Sequence, residues 1–212
     1  MANIEAIRGQ VADDAHNALM AVSTSGDIYT WGASTYLGNG SAVSARTYAT
    51  AMSLPSGVVG SDVKMIGVNG GNQTTNSTNN TYYILSNQGF LYAMGENNNR
   101  QVGDFTTTDR LTWVNVKQNA TTNMSGIATF SVQEHDANFS AAVAVTNSGD
   151  LYTWGENPRN MIGRPTSNTI YDPGIPSSFN QGTDLAIFAE VGGHTLVYLK
   201  QGTTQFFTLV TR

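Results

Sequence analysis

The chain of 212 residues contains no cysteine. Disulfides, thiolate metal sites and cysteine nucleophiles are excluded at once, and the redox compartment is left open. Charge is scarce as well. Asp, Glu, Lys and Arg supply 12% of the residues, against roughly 25% in an ordinary soluble domain. The 10 Lys and Arg residues are scattered without a basic run, and the net charge is −5. A nucleic-acid groove or an anionic membrane surface draws on clustered positive charge, so neither partner is expected. No stretch approaches the ~20 apolar residues of a membrane-spanning helix. The opening Met1-Ala2-Asn3-Ile4-Glu5-Ala6-Ile7-Arg8 has no apolar core of signal-peptide length. The expectation is a protein made in a cytoplasm; if it works outside, it leaves by lysis, within a particle, or by a route that the sequence does not display. Sustained 3.6-residue apolar periodicity is missing too, which argues against long amphipathic helices.

What fills the sequence is Asn, Thr, Ser and Gly, with hydrophobic residues at 40%, too many for a disordered chain. One phrase recurs. It reads Gly26-Asp27-Ile28-Tyr29-Thr30-Trp31-Gly32, then Gly89-Phe90-Leu91-Tyr92-Ala93-Met94-Gly95, then Gly149-Asp150-Leu151-Tyr152-Thr153-Trp154-Gly155. A worn copy starts at Gly202 and continues Thr203-Thr204-Gln205-Phe206-Phe207. The opening glycines lie 63, 60 and 53 residues apart. Self-similarity at a long period marks a repeat architecture.

Each unit reads as four short strands. The first is apolar and ends in glycine, near 4–9, 63–70, 126–132 and 185–193. The second is an apolar run such as Ala141-Ala142-Val143-Ala144-Val145. A turn follows whose glycine supplies the positive φ of a tight hairpin. The third strand is the recurring phrase. Its period of two sets Tyr29 with Trp31, and Tyr152 with Trp154, on one sheet face. A polar loop then leads to a weaker fourth strand near 48–54, 111–116 and 169–175. A repeat of about 60 residues holding four strands selects the propeller, in which each small sheet buries its faces on its neighbours. The fold class expected is all-β: a propeller-like stack of about four four-stranded antiparallel blades, the last incomplete. The whole chain, 1–212, forms a single repeat domain with units at about 1–62, 63–125, 126–184 and 185–212.

These residues resemble the regulator of chromosome condensation type repeat. Its blades carry a Gly-x-x-His strand, a turn glycine, and then Trp-Gly-x-Asn-x-x-Gly-Gln-Leu-Gly. Matching positions are Met94-Gly95-Glu96-Asn97 with Arg100-Gln101-Val102-Gly103, and Trp154-Gly155-Glu156-Asn157 with Asn160-Met161-Ile162-Gly163. The first unit gives Trp31-Gly32 with Tyr36-Leu37-Gly38-Asn39-Gly40, two residues shorter, and the fourth keeps Gly192-Gly193-His194-Thr195-Leu196. By the resemblance, His194 makes a structural hydrogen bond inside a blade. Members with exchange activity on small GTPases resemble closed seven-bladed rings, whereas this sequence spells three full units and part of a fourth. A small four-bladed ring, an open arc and a joining of copies all remain open as closures. Exposed edge strands at 4–9 and 206–211 favour an assembly.

Candidate sites divide into scaffold and contact. Gly26, Tyr29, Trp31, Gly32, Gly89, Tyr92, Gly95, Gly149, Tyr152, Trp154, Gly155 and Gly202 recur in register, so they read as structural. If the indoles lie between blades, Trp31→Ala or Trp154→Ala costs roughly 3–5 kcal/mol. Trp113 falls outside the phrase and is a candidate contact. So are Tyr36, Tyr48, and Asn76 and Asn79 of an Asn-rich loop at 70–80. His16 beside Asp13-Asp14, and His135 between Glu134 and Asp136, lack any metal-ligand spacing. No metal or cofactor is expected. Glu96-Asn97 and Glu156-Asn157 are expected to tie their own loops, as Asn commonly does. No Ser-His-Asp set or facing carboxylate pair can be nominated, so no enzyme is expected.

The reading is a non-enzymatic structural and interaction module. Its composition, without cysteine and rich in amide and hydroxyl side chains, is similar to that of bacteriophage virion proteins such as decoration, fibre or tail parts. Partners are then other protein subunits, in a particle or a homo-oligomer. A receptor- or glycan-binding head is the alternative, and a guanine-nucleotide exchange factor ranks below it.

Overall fold

Four antiparallel meanders follow one another along the chain in the computed structural model, which describes residues 3–11, 17–32, 46–69, 80–134, 140–157, 160–165, 169–192 and 195–208. The first sheet holds β1 (Ile4–Val11), β2 (Asn17–Ser23), β3 (Ile28–Gly32) and β4 (Arg46–Met52). The second holds β5 (Val63–Asn69), β6 (Thr81–Ser86), β7 (Leu91–Gly95) and β8 (Arg110–Asn115). A small hairpin, β9 (Lys117–Asn119) with β10 (Thr122–Asn123), comes next. The third sheet is β11 (Ile127–Val132), β12 (Ala141–Thr146), β13 (Leu151–Glu156) and β14 (Ile170–Gly174). The fourth has three strands among the described residues: β15 (Ala186–Gly192), β16 (Thr195–Lys200) and β17 (Phe206–Thr208). Apart from the 3-10 turn Gly60–Asp62 and a 3-10 residue at Asn160, the described residues contain no helix.

Alternation turns each sheet into a two-faced apolar layer. On β12 and β13, Ala142 lies opposite Trp154 and Ala144 opposite Tyr152. This face packs backward onto Tyr83, Leu85, Leu91 and Ala93 of the second sheet. The alternate residues Val143, Val145 and Leu151 face forward onto Ala186, Ala189, Val191, Leu196 and Tyr198 of the fourth. Between the first and second sheets, Ala18, Met20, Val22 and Ile28 meet Ile66, Val68, Tyr82, Ile84 and Met94. Each buried large side chain contributes about 1.5–3 kcal/mol, so stability resides in these three inter-sheet layers.

The first strands of the sheets gather around one axis. β1 packs on β5, β5 on β11, and β11 on β15. They enclose a cavity of about 350 Å³ lined by residues that include Arg8, Phe130, Glu134, Phe188 and Glu190. Arg8 Nε lies 4.0 Å from Glu134 Oε1 across it. Among the described residues, no close strand packing joins the first sheet to the fourth. The blades therefore form an arc with two end faces.

Two glycines of each phrase fix the geometry. The turn glycine Gly149 has φ +89°, and a Cβ there would lie 3.0 Å from Leu185 Cα, at the start of the next blade. Its carbonyl accepts the Ala186 N–H at 2.8 Å, and the Gly89 carbonyl accepts that of Ile127 at 3.0 Å. The turn thus stitches one blade to the next. The glycine after the tryptophan, Gly155, has φ +90°, and a Cβ would stand 2.0 Å from the Ser140 carbonyl oxygen.

Trp154 is fully buried, as its repeat position implies. Trp31 is a correction: it is only half-buried, because its face of the first sheet has no preceding blade against it. The 3–5 kcal/mol expected for both indoles therefore applies within one chain to Trp154 alone. Trp154→Ala should lower unfolding free energy by about 3–5 kcal/mol, whereas Tyr48→Ala on β4 should change it by less than about 0.5 kcal/mol. Urea denaturation of the two variants checks the contrast.

Candidate functional site

The loops between third and fourth strands are built on buried amides. Asn97, at the end of β7, accepts the Val102 N–H at 3.0 Å through Oδ1. Its Nδ2 donates to Asp104 Oδ1 and the Thr106 carbonyl, each at 3.0 Å. Asn157 repeats the arrangement after β13: its Oδ1 accepts the Ile162 N–H at 3.2 Å, and its Nδ2 donates to the Arg164 carbonyl at 3.3 Å. Glu156 Oε2 accepts the Ser140 N–H at 3.0 Å, closing the loop onto β12. These amides serve their own loops.

An ion-pair seam crosses from the second blade to the third. Asp104 is buried and takes Arg110 Nε at 2.6 Å and Thr106 Oγ1 at 2.7 Å. Burial works to raise its pKa, but hydrogen bonds from Thr106, Arg110 and Asn97 outweigh it and hold the carboxyl below its ordinary range. Arg100, in a left-handed conformation (φ 61°), pairs with Asp172 of β14. Burial raises the Asp172 pKa, opposed by the charge of Arg100. Arg164 stacks over Tyr171, 4.8 Å from the ring centre, and its pKa is lowered by burial. On the fourth sheet, Lys200 Nζ donates to Asp184 at 2.6 Å. Each of these carboxylates is held by a cation, and among the described residues no three His, Asp or Glu side chains gather around a common point.

The sequence-nominated contacts separate. Tyr36, Asn76, Asn79 and His194 lie outside the described residues, as do His16 and His135. Tyr48 stands on β4 with 74% of its surface exposed. Trp113, on β8, is half-buried against the layer between the first and second sheets. Its indole N–H donates to the Ser53 carbonyl at 2.8 Å, clamping β8 to the end of β4. Ser53 lies five residue steps beyond Tyr48, about 16 Å at the rise of a strand, so the two rings do not make one patch. Of the phrase tyrosines, Tyr152 is buried, and Tyr29 and Tyr92 are half-buried. Burial raises the Tyr92 and Tyr152 pKa values. On the strands that the sequence marks as exposed edges, Ile4, Ile7 and Phe206 are exposed, and Phe188 on β15, which the sequence did not single out, is exposed as well. Period-two alternation could have assigned each of them to a face.

No family model matches the sequence. No curated protein matches it. Solved structures do. The crystal structure of human WBSCR16 superposes with TM-score 0.65 at 15% identity, over 90% of this chain and 44% of that one. Yeast RCC1 (Prp20), crystallised with Kap60, gives 0.66 at 18% identity, over 93% and 42%. Prp20p from Saccharomyces cerevisiae, described with its binding properties to Gsp1p and histones, gives 0.63 at 19%, over 86% and 41%. The chain thus spans about two fifths of the length of these structures. The likeness establishes the architecture: the four sheets are arranged as blades of a β-propeller.

The pH behaviour of the seam follows from Asp104. Its folded pKa lies below the unfolded value of 3.8, so its contribution is complete above that value and is lost as pH falls through the lower folded one. Asp172, with a raised pKa, acts in the opposite sense. Asp104→Asn should flatten the loss of stability as pH falls below 3.8, read as urea midpoints at each pH.

Proposed function

We propose that the protein is a non-enzymatic structural and interaction module, carried on the exterior of a large particle such as a bacteriophage virion, as a decoration, fibre or tail component. The observation that carries this reading is the use of the motif's polar residues. Asn97, Asn157 and Asp104 hold loops and blades together, while large side chains such as Tyr48 and Phe206 remain on the outside. Packed blades display those surfaces at fixed geometry, so ordering entropy is met at folding and not at each contact. Protein partners of propeller neighbours support the same coarse role: Prp20 was crystallised with Kap60 and described with Gsp1p and histones.

The particle is favoured by composition: no cysteine, 12% charged residues and an excess of Asn, Thr, Ser and Gly. A protein of this kind is made in the host cytoplasm and leaves with the particle. A receptor- or glycan-binding head is the second reading, favoured by the exposed Tyr48 ring. Under it, Tyr48→Ala abolishes binding to host cells; under the first reading, binding is unchanged.

Mass spectrometry of purified particles should find the chain at a fixed copy number per particle, and its absence would reject the particle role. A nucleotide-release assay with a small GTPase should show no acceleration; stimulated release would establish the exchange-factor reading instead.

A further inference from the structure

Arg100 stands where a long side chain is costly. Its backbone is left-handed (φ 61°), as is that of Asn160 at the same place in the third blade's loop (φ 59°). Asn visits this region readily, whereas Arg does not. The repeat motif carries glycine at this position. Strain of this kind persists only where the surroundings hold it, and it gathers at functional sites. Here the turn holds it: the Arg100 N–H donates to the Asn97 carbonyl, and the Gly103 N–H to the Arg100 carbonyl, each at 3.0 Å. What the arginine gains is reach, because its guanidinium leaves the second blade and meets Asp172 on β14 of the third.

That pair forms part of the wall of a cavity of about 320 Å³, lined by Arg100, Thr169, Ile170, Tyr171 and Asp172. β14 is the outermost strand of the third sheet, so the cavity belongs to the outer part of the seam between two adjacent blades and not to the axis. Its walls carry both kinds of hydrogen-bonding group. Arg100 donates to Asp172 Oδ2 through Nη1, which leaves the guanidinium further N–H donors. Asp172 Oδ1 is shut off from solvent and has no hydrogen-bond partner among the described residues. A buried acceptor without a donor is uncommon in native proteins. Thr169 adds an exposed hydroxyl and Ile170 an apolar side chain. The charges on the wall balance, one cation against one anion. The other arginine of the seam, Arg164, is engaged with the Thr153 carbonyl and the Tyr171 ring and does not line the cavity. An anion would have to take Arg100 from Asp172, and a cation would have to take Asp172 from Arg100. A neutral ligand with donors and acceptors on neighbouring atoms does neither.

We infer that this cavity between the second and third blades binds a neutral sugar unit. Adjacent hydroxyls supply the pattern its walls ask for. One hydroxyl donates to Asp172 Oδ1, its neighbour accepts from the free N–H groups of Arg100, and Ile170 lies against the apolar C–H side of the ring. The volume falls at the lower end of small-molecule pockets, which suits one sugar residue and not a long chain. This deepens the glycan-binding reading and rests on it for the class of ligand, but it moves the contact from the Tyr48 ring to the seam. The Arg100–Asp172 pair then serves twice: it ties one blade to the next, and it presents a fixed donor and a fixed acceptor side by side.

The test is an NMR titration of the 212-residue chain with the methyl glycosides of glucose, galactose, mannose and N-acetylglucosamine, and with acetate as the anion. At least one glycoside should shift the amide signals of residues 169–172. Its affinity should be equal at low and high salt, because the ligand carries no charge. Arg100→Gly restores the glycine of the motif and relieves the backbone, so the fold is kept, as circular dichroism checks. Arg100→Gly and Asp172→Ala should each weaken binding about tenfold or more, while Tyr48→Ala binds as the parent does. An Arg100→Gly chain that binds as the parent does would make Arg100 a tie between blades and overturn the site. Acetate binding in place of the glycosides, weakened by salt, would overturn the ligand class. Binding of no glycoside would overturn the inference, and loss of attachment to host cells in Tyr48→Ala would then keep the glycan-binding head without this site. Glycoside shifts confined to the surroundings of Tyr48 would do the same.

Discussion

Each blade is stable only when its neighbours cover both of its apolar faces. A four-stranded meander of six-residue strands is too small to hold a core of its own. The layers between sheets supply it: Trp154, Tyr83, Phe130 and Leu91 are buried together between the second and third blades. The turn glycines set the spacing at which this works. With a Cβ at Gly149, the third blade could not approach Leu185 without a shift, and the layer containing Val143 and Leu151 would open. The repeated glycine and the repeated aromatic are thus one device, close approach and the bulk that fills what remains.

The polar half of the motif serves the same end. A blade stack leaves long connections between third and fourth strands, and such loops drift unless their backbone groups find partners. Asn97 and Asn157 satisfy those groups from inside the loop. Gln101 then joins loop to layer, its carbonyl accepting both the Tyr83 hydroxyl at 2.5 Å and the Trp154 indole N–H at 2.8 Å. A ring from the third blade and a ring from the second meet on one carbonyl oxygen of the second blade's loop. The arc is therefore held by directed bonds as well as by area, which fixes how each blade is rotated on the last.

Much of this could be read in the sequence because its cause is local. The turn glycine, the Tyr-x-Trp spacing and the apolar second strand all follow from period-two alternation and from φ, and the four-sheet order followed from their recurrence. The Asn ties were legible for the same reason, since an amide reaching its own loop needs no distant partner. What depended on a neighbour was hidden. Trp31 and Trp154 occupy the same place in their phrases, yet one has a blade behind it and the other does not. Trp113 stands outside the phrase and reads as a free contact, but its indole clamps to Ser53, sixty positions earlier in the chain. The hairpin of β9 and β10 escaped because Lys117, Gln118 and Asn119 carry no apolar alternation. It forms because Asn119 Oδ1 accepts the Thr121 and Thr122 N–H groups.

That hairpin stands apart from the layers it adjoins. Its two feet, Val116 and Met124, are buried in the core between the second and third blades and are joined by a backbone bond of 2.8 Å. Its tip, Ala120 and Thr121, is exposed to solvent. Anchored feet and a free tip make the loop a natural grafting point. A dye-labelled side chain in place of Ala120 stands in solvent and leaves the bonds from Thr121 and Thr122 to Asn119 intact, which gives this scaffold a built-in handle for imaging.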